Sequence, residues 1–396
     1  MKIIIHRYNS ICEPDLIDAF RACGITVIEE RIEMEQKSIS ASERIRSLSE
    51  LILTHQASFV FSVNFFPYIS EICQRLHVLY VALSVDCPVL ELFSSAIRNS
   101  CNRIFLFDHT QYERFQPENP GGIFYLPLAT NVDRWERTLS SLSEKDRKPY
   151  DCTISFVGSL YKEKSPLAGL ALDDFHRGYA DGIMEAQMQV PEYSLLEESL
   201  TPSLIEAIRQ ADSSFYRLPD AFENTDSFVA ANYYLGMQVS SLERIRTLAQ
   251  VGQEFPVDLY TRSDTSDLAH VPGIRCRGGA TTHTEMPRIF SSSKINLNIT
   301  MHSIRSGLSQ RIWDILGCGG FLITNYQSEI PEYFTVGEDL ECYENTAELL
   351  DKIAYYLDHE DERLQIAEQG LRKVKERHTY IHRVCQMMQV LFPEAF

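Results

Sequence analysis

The stretch Lys294–Asn325, KINLNITMHSIRSGLSQRIWDILGCGGFLITN, leaves this chain few folds to choose from. KINLNIT alternates apolar and polar residues at period two, which predicts a strand with one half-buried face. A turn-prone segment, His302 to Gly307, follows. Leu308, Ile312, Ile315 and Leu316 then recur at helical spacing until Gly319-Gly320 stops the helix. FLIT supplies a second strand. Strand, loop, helix and strand in that order build a parallel sheet.

In an open parallel sheet, ligands sit beyond the carboxyl ends of the strands, where helix N-termini aim unpaired amides outward. Arg305-Ser306-Gly307-Leu308 reads as such a place. Gly307 lets backbone approach a ligand, the helix dipole favours an anion, and Arg305 offers a fork that grips phosphate. Asp314, one helical face from Arg311, sets a hydroxyl-seeking carboxylate behind the anion site, an order that suits a diphosphate joined to a ribose. The same residues also read as an i,i+3 surface pair preceded by an ordinary turn.

With 396 residues there is room for two domains with full cores, and 44% hydrophobic with 23% charged residues is ordinary for globular protein. A net charge of −18 disfavours nucleic acid and anionic membrane surfaces, so an anionic nucleotide ligand needs local arginines. MKIIIHRYNS holds too short an apolar run for a leader or anchor, and no later run is long enough to span a bilayer; a cytoplasmic protein without membrane insertion is expected. The ten cysteines show no CxxC spacing and read as reduced thiols. No Asp-x-Asp triplet offers ligands to a metal, and none is expected.

MKIIIH, ITVIEE, ASFVFSV, HVLYVAL, NRIFLF and GIFYL alternate with helical segments, which predicts a doubly wound parallel sheet. Asp86 stands where one strand stops before Pro88, placed either to accept a proton from an acceptor hydroxyl or to cap a helix opened by Pro88. Asp108 reads as a helix cap and His109 as a cleft residue. RTLSSLSEKDRKPYD reads as an interdomain linker, giving a first domain over 1–150, a second over 151–377 and a last helix over 378–396. CTISFVGSLYKEKS opens the second domain with a strand and a glycine loop, but lacks the glycine that a P-loop needs before Lys-Ser. Residues of about 165–250 have helical spacing throughout and form an insertion, for acceptor recognition, a homodimer contact or simple shielding of the sheet. DERLQIAEQGLRKVKERHTYIHRVCQMMQVLF reads as nearly continuous helix broken at Gly370. His378, His382 and Cys385 share one of its faces and read as packing rather than a zinc site.

The run SGLSQRIWDILGCGGFLITNYQSEIPEYF, with SVDCP, YLPLATN and HTYIHR, resembles GT-B glycosyltransferases, most closely the CgeB-type group of spore-maturation and flagellin glycosyltransferases. The resemblance covers nearly the whole chain and is weakest in the middle. It implies an α/β fold of two Rossmann-like parallel-sheet domains facing a cleft: the first on the acceptor side, the second binding a nucleotide sugar, and the last helix crossing back to the first. It places Gly158 and Ser159 near the donor diphosphate, Arg262, Arg277 and Gly278 beside the base, and Asp314 at the ribose, with Arg305, Gly307, Leu308 and Arg311 completing the donor set. Many GT-B enzymes carry an acidic pair with seven residues between; Asp314 matches the second member, and Ser306 stands at the first, which favours inversion over retention. The function implied is metal-independent, hexosyltransferase-like transfer from a UDP, GDP or dTDP sugar to a hydroxyl of a protein such as flagellin or of a surface glycan, with Asp86 first and His109 second as general base. The alternative is an inactive nucleotide-sugar-binding or scaffold protein with the same shell; a sugar-nucleotide epimerase ranks below both.

Overall fold

The computed structural model describes residues 1–36, 38–190 and 193–395, which gather into two compact units. The first comprises Met1–Thr130, Leu218–Glu223 and Arg377–Phe396; the second comprises Asn131–Arg217 and Asn224–Glu376.

The first unit is built on six parallel strands, β1 (Lys2–His6), β2 (Thr26–Glu30), β3 (Phe59–Val63), β4 (Leu79–Leu83), β5 (Asn102–Leu106) and β6 (Ile123–Tyr125), in the order β2-β1-β3-β4-β5-β6. The central strands are continuous apolar runs because helices cover both faces, and every residue of β3 is buried. The helix Glu13–Ala22, with Pro14 in its first turn, lays Leu16, Ile17 and Phe20 on this sheet. On the same core lie Val384 and Met387 of the helix Tyr380–Leu391, fully buried. Arg383 of that helix, also buried, donates to the carbonyls of Pro127 at 2.8 Å and Leu128 at 3.1 Å. Residues 218–223, drawn from the long segment after the seventh strand, pair with this unit: Ser95 N donates to Asp220 O and Phe222 N to Phe93 O, each at 2.9 Å, and Arg98 stacks on Phe222.

The second unit repeats the plan with β7 (Cys152–Val157), β8 (Val257–Tyr260), β9 (Ile274–Gly278), β10 (Ser293–Asn298), β11 (Leu322–Asn325) and β12 (Glu341–Tyr343), all parallel, in the order β12-β11-β10-β7-β8-β9. Between β7 and β8 lie the helices Asp174–Gln189, Pro202–Ala211, Asp226–Val229 and Gly236–Glu254, the last entered through a π-helical turn, Ala230–Leu235; no strand intervenes among the described residues. The polar stretch expected to be a linker is instead the helices Val132–Ser140 and Glu144–Arg147 followed by a 3-10 turn, and belongs to this unit.

Three further expectations need correction. The period-two alternation in β10 predicted a strand with one half-buried face, yet five of its six residues are buried, because it lies between β11 and β7. Its polar residues are satisfied inside: Asn296 donates to Phe290 O at 3.0 Å and accepts from Ser155 Oγ at 2.9 Å, and Asn298 donates to Thr324 Oγ1 at 2.9 Å. The carboxy-terminal helix breaks not at Gly370 but at His378-Thr379, giving Glu360–Arg377 and Tyr380–Leu391. Gly370 is kept for close packing, since a Cβ there would lie 2.4 Å from Asp339 O. No helix opens at Pro88; the chain runs on to a 3-10 turn, Leu90–Phe93, flanked by Val89, so Asp86 caps nothing.

Candidate functional site

In a doubly wound sheet the ligand crevice forms where successive strands depart to opposite sides, beyond their carboxyl ends. In the second unit that point is β7/β10: β8 and β9 extend to one side of β7, and β10, β11 and β12 to the other. Val157 runs into Gly158-Ser159, and Asn298 into Ile299-Thr300. A side chain the sequence did not single out bridges the two ends. Arg244, from the helix Gly236–Glu254, donates Nη1 to Ser159 O and Nη2 to Ile299 O, each at 2.5 Å. Its guanidinium lies 4.4 Å from the centre of the Tyr161 ring and 5.5 Å from that of Phe156.

Arg244 is 7% exposed, its Nε has no hydrogen-bond partner, and among the described residues no carboxylate comes within 4 Å. A buried ion without a counter-ion costs several kcal/mol, about 3–5 when one partner of a pair is missing. The neighbouring Glu243 offsets it only in part at neutral pH, because burial pushes its carboxyl up to about 7, against the pull of Arg244. The loop carrying Ser159 is well fixed: Tyr161, at φ +59°, donates its N–H to Ser159 Oγ at 2.9 Å, and Leu160 N donates to Ser263 Oγ at 2.8 Å.

Beyond β10, His302 N donates to Ser240 Oγ at 2.9 Å, tying the 300–308 loop to the helix that carries Arg244. Burial, assisted by Arg305, pulls the His302 imidazole down to about 3, so the ring is neutral. Gly307 and Leu308 are buried and Arg305 half-buried; the helix begins later than the spacing predicted, at Gln310–Gly317 with Ser309 before it. Arg311 and Asp314 do form the i,i+3 pair, at 3.7 Å, with Asp314 6% exposed and accepting from Gln310 Nε2 at 3.0 Å. Arg311 also reaches Met286 Sδ at 3.0 Å and stacks on Phe290. Burial lowers its pKa, Asp314 raises it, and Arg244 lowers it again, which puts the two arginines within each other's field.

Other expected residues lie elsewhere on this sheet. Arg277 and Gly278 occupy the edge strand β9, two strands from β7; Arg277 donates to Pro149 O at 2.7 Å and faces Asp258 at 3.5 Å, while Gly278 takes φ +79°. Arg262, after β8, is exposed beside Gly279, where a Cβ would come 2.6 Å from its Cγ. Lys162 pairs with Asp264 and Asp267, each at 2.8 Å.

In the first unit the strand order turns at β1/β3. Asp86, exposed after β4, accepts from Asn64 Nδ2 at 2.6 Å. Asp108 caps the helix His109–Phe115, accepting from Gln111 N at 2.8 Å. His109 lies half-exposed at the start of that helix, its ring 4.7 Å from that of Tyr125 and its Nδ1 3.6 Å from Glu113. His378 and His382 serve local structure, bonding to Arg383 Nη2 and Thr379 Oγ1 respectively. Among the described residues no three His, Cys, Asp or Glu side chains gather in a way that could hold a metal ion, and no helix is long and apolar enough to cross a membrane.

Comparison with known proteins adds to this geometry. Residues 243–389, the segment that begins at Glu243-Arg244, match the family described as glycosyl transferase-like. No curated protein matches the sequence significantly. Among solved structures, a glycosyltransferase from Rickettsia africae is similar at TM-score 0.57 and 11% identity over 98% of both chains. Anabaena HepE, solved with UDP and glucose, is similar at TM-score 0.53 and 10% identity over 98% of both chains. Sucrose-phosphate synthase from Thermosynechococcus elongatus is similar at TM-score 0.52 and 11% identity over 100% of both. The chain therefore has the GT-B glycosyltransferase fold, two Rossmann-like units each on a six-stranded parallel sheet, with a glycosyl transferase-like segment over residues 243–389.

Proposed function

We propose that this protein is a glycosyltransferase that moves a hexose from a nucleoside-diphosphate sugar to a hydroxyl without a metal ion. The observation that carries the reading is Arg244, a buried cation lacking an anionic partner at the β7/β10 crevice. A diphosphate there completes the ion pair. Arg244 and Arg311, with Arg305 and the backbone about Gly307 and Leu308, neutralise the charge that develops on the leaving diphosphate, the task a metal performs elsewhere. Gly158 and Ser159 face the same crevice, and Asp314 is the ribose ligand. Arg262, Arg277 and Gly278 are assigned to the base. HepE, crystallised with UDP and with UDP-glucose, supports a uridine donor as the first to try.

In this reading Asp86 accepts the proton of the attacking hydroxyl and His109 is second choice. The acceptor class is a protein such as flagellin or a surface glycan, in a cytoplasmic, CgeB-type enzyme. The test is a thermal-shift screen of UDP, GDP, dTDP and CMP sugars with a chelator present, alongside assay of free nucleotide. Stabilisation by one donor with slow nucleotide release is expected. Stabilisation without release leaves transferase and binding protein to be separated by assay with acceptors, and no shift with any donor defeats the donor site built on Arg244.

A further inference from the structure

The carboxyl ends of β1, β3 and β4, neighbours in the first sheet, carry Tyr8, Asn64 and Asp86. Asn64 has φ +60°, in the left-handed region that asparagine enters more readily than most residues. Its side chain is fully engaged. Oδ1 accepts from the N–H groups of Val85 at 2.9 Å and Asp86 at 3.3 Å. Nδ2 has two hydrogens, and it donates to Asp86 Oδ2 at 2.6 Å and to the Tyr8 hydroxyl at 2.9 Å. One amide thus fixes the 84–86 turn, the carboxylate on it and the end of β1.

The Asp86 carboxylate does not need this donor for its solvation. Asp86 is exposed, so water satisfies its carboxylate without a protein donor, and pinning the side chain costs rotamer freedom. The other oxygen, Oδ1, has no hydrogen bond from the described residues. A carboxylate held by one oxygen with the other turned free is a preorganised proton acceptor.

We infer that Asn64 is a positioning residue that holds Asp86 to receive the proton of the attacking hydroxyl. The inference rests on the transferase reading. In the step, the acceptor O–H bond breaks and its proton passes to the free Asp86 oxygen. The acceptor oxygen bonds to the anomeric carbon, and the bond from that carbon to the diphosphate breaks, its electron pair leaving on the diphosphate. Water as acceptor follows the same balance, so the step is read as nucleotide release.

The experiment uses the full chain with UDP-glucose, GDP-mannose and dTDP-glucose as donors, and follows thermal shift, KM and kcat of nucleotide release. Asn64→Gly keeps the left-handed backbone and removes the clamp; Asn64→Asp keeps size and sets an oxygen against Asp86. Both are expected to lower kcat roughly 10²-fold, with donor KM changed less than about twofold and an unchanged circular dichroism spectrum. Retained kcat in Asn64→Gly, or a loss that only tracks the unfolded fraction, overturns the inference. Full release by Asp86→Asn, or donor binding without release by the wild type, overturns it while leaving the donor site intact. Absence of any donor binding brings down the transferase reading and this inference with it.

Discussion

Replacing Arg244 by methionine separates the cost of burying its charge from the use of that charge. The variant loses bonds to Ser159 O and Ile299 O but is relieved of an unpaired ion, so we expect stability to change by about 1 kcal/mol or less while UDP-sugar affinity falls roughly 10²-fold, read by denaturation and calorimetry. A proportional loss of both would make Arg244 a strut only. Glu243 sets the pH dependence. Its folded pKa is raised to about 7, so the stability it contributes is present below its ordinary value of 4.5 and is lost as pH rises through 7. Above 7 the ionised carboxylate also competes for Arg244, so UDP-sugar affinity is expected to decline as pH rises through about 7, and Glu243→Gln to flatten that decline. His302 has the opposite sign: lowered to about 3, it contributes stability above its ordinary 6.5 that is lost as pH falls toward 3.

Among the elements, two helices test how glycine is used. At Gly370 in Glu360–Arg377, a Cβ would meet Asp339 O at 2.4 Å and Leu316 Cδ2 at 2.9 Å, so Gly370→Ala is expected to destabilise by about 1–3 kcal/mol. At Gly178 in Asp174–Gln189, nothing lies within 4 Å of a new Cβ, and Gly178→Ala is expected to stabilise by about 0.5–1 kcal/mol, both measured by chemical denaturation. From sequence these glycines look alike. The strand β10 makes the same point about polarity: its alternation is real, but Asn296 and Asn298 point into protein, where neighbouring strands supply their partners.

Across the whole molecule, the carboxy-terminal helix is part of the first unit's core rather than an appendage. Removing residues 378–396 takes away Tyr380, Val384, Met387 and Met388, all buried, at about 1.5–3 kcal/mol each. That approaches the total stability of a typical domain, so the truncated protein is expected to be insoluble or to lose hydrogen-exchange protection in β1 and β3. Retained protection would show that the helix merely rests on the sheet.

Local pattern alone determined that this is a doubly wound α/β chain, since runs such as FVFSV and LITN bounded by turn residues demand parallel strands covered on both faces. It also identified Asp314 beside Arg311, because a helix fixes the relation of residues three apart. Arg244 could not be read this way. It lies in an ordinary helical sequence, SSLERIRTLAQ, and its meaning comes from two carbonyls, at Ser159 and Ile299, far away in the chain. Asn64 is likewise a turn residue until β4 brings Asp86 beside it. Strand order decided both, because the crevice of a parallel sheet lies where the winding reverses, and only the folded topology says which strand ends meet there.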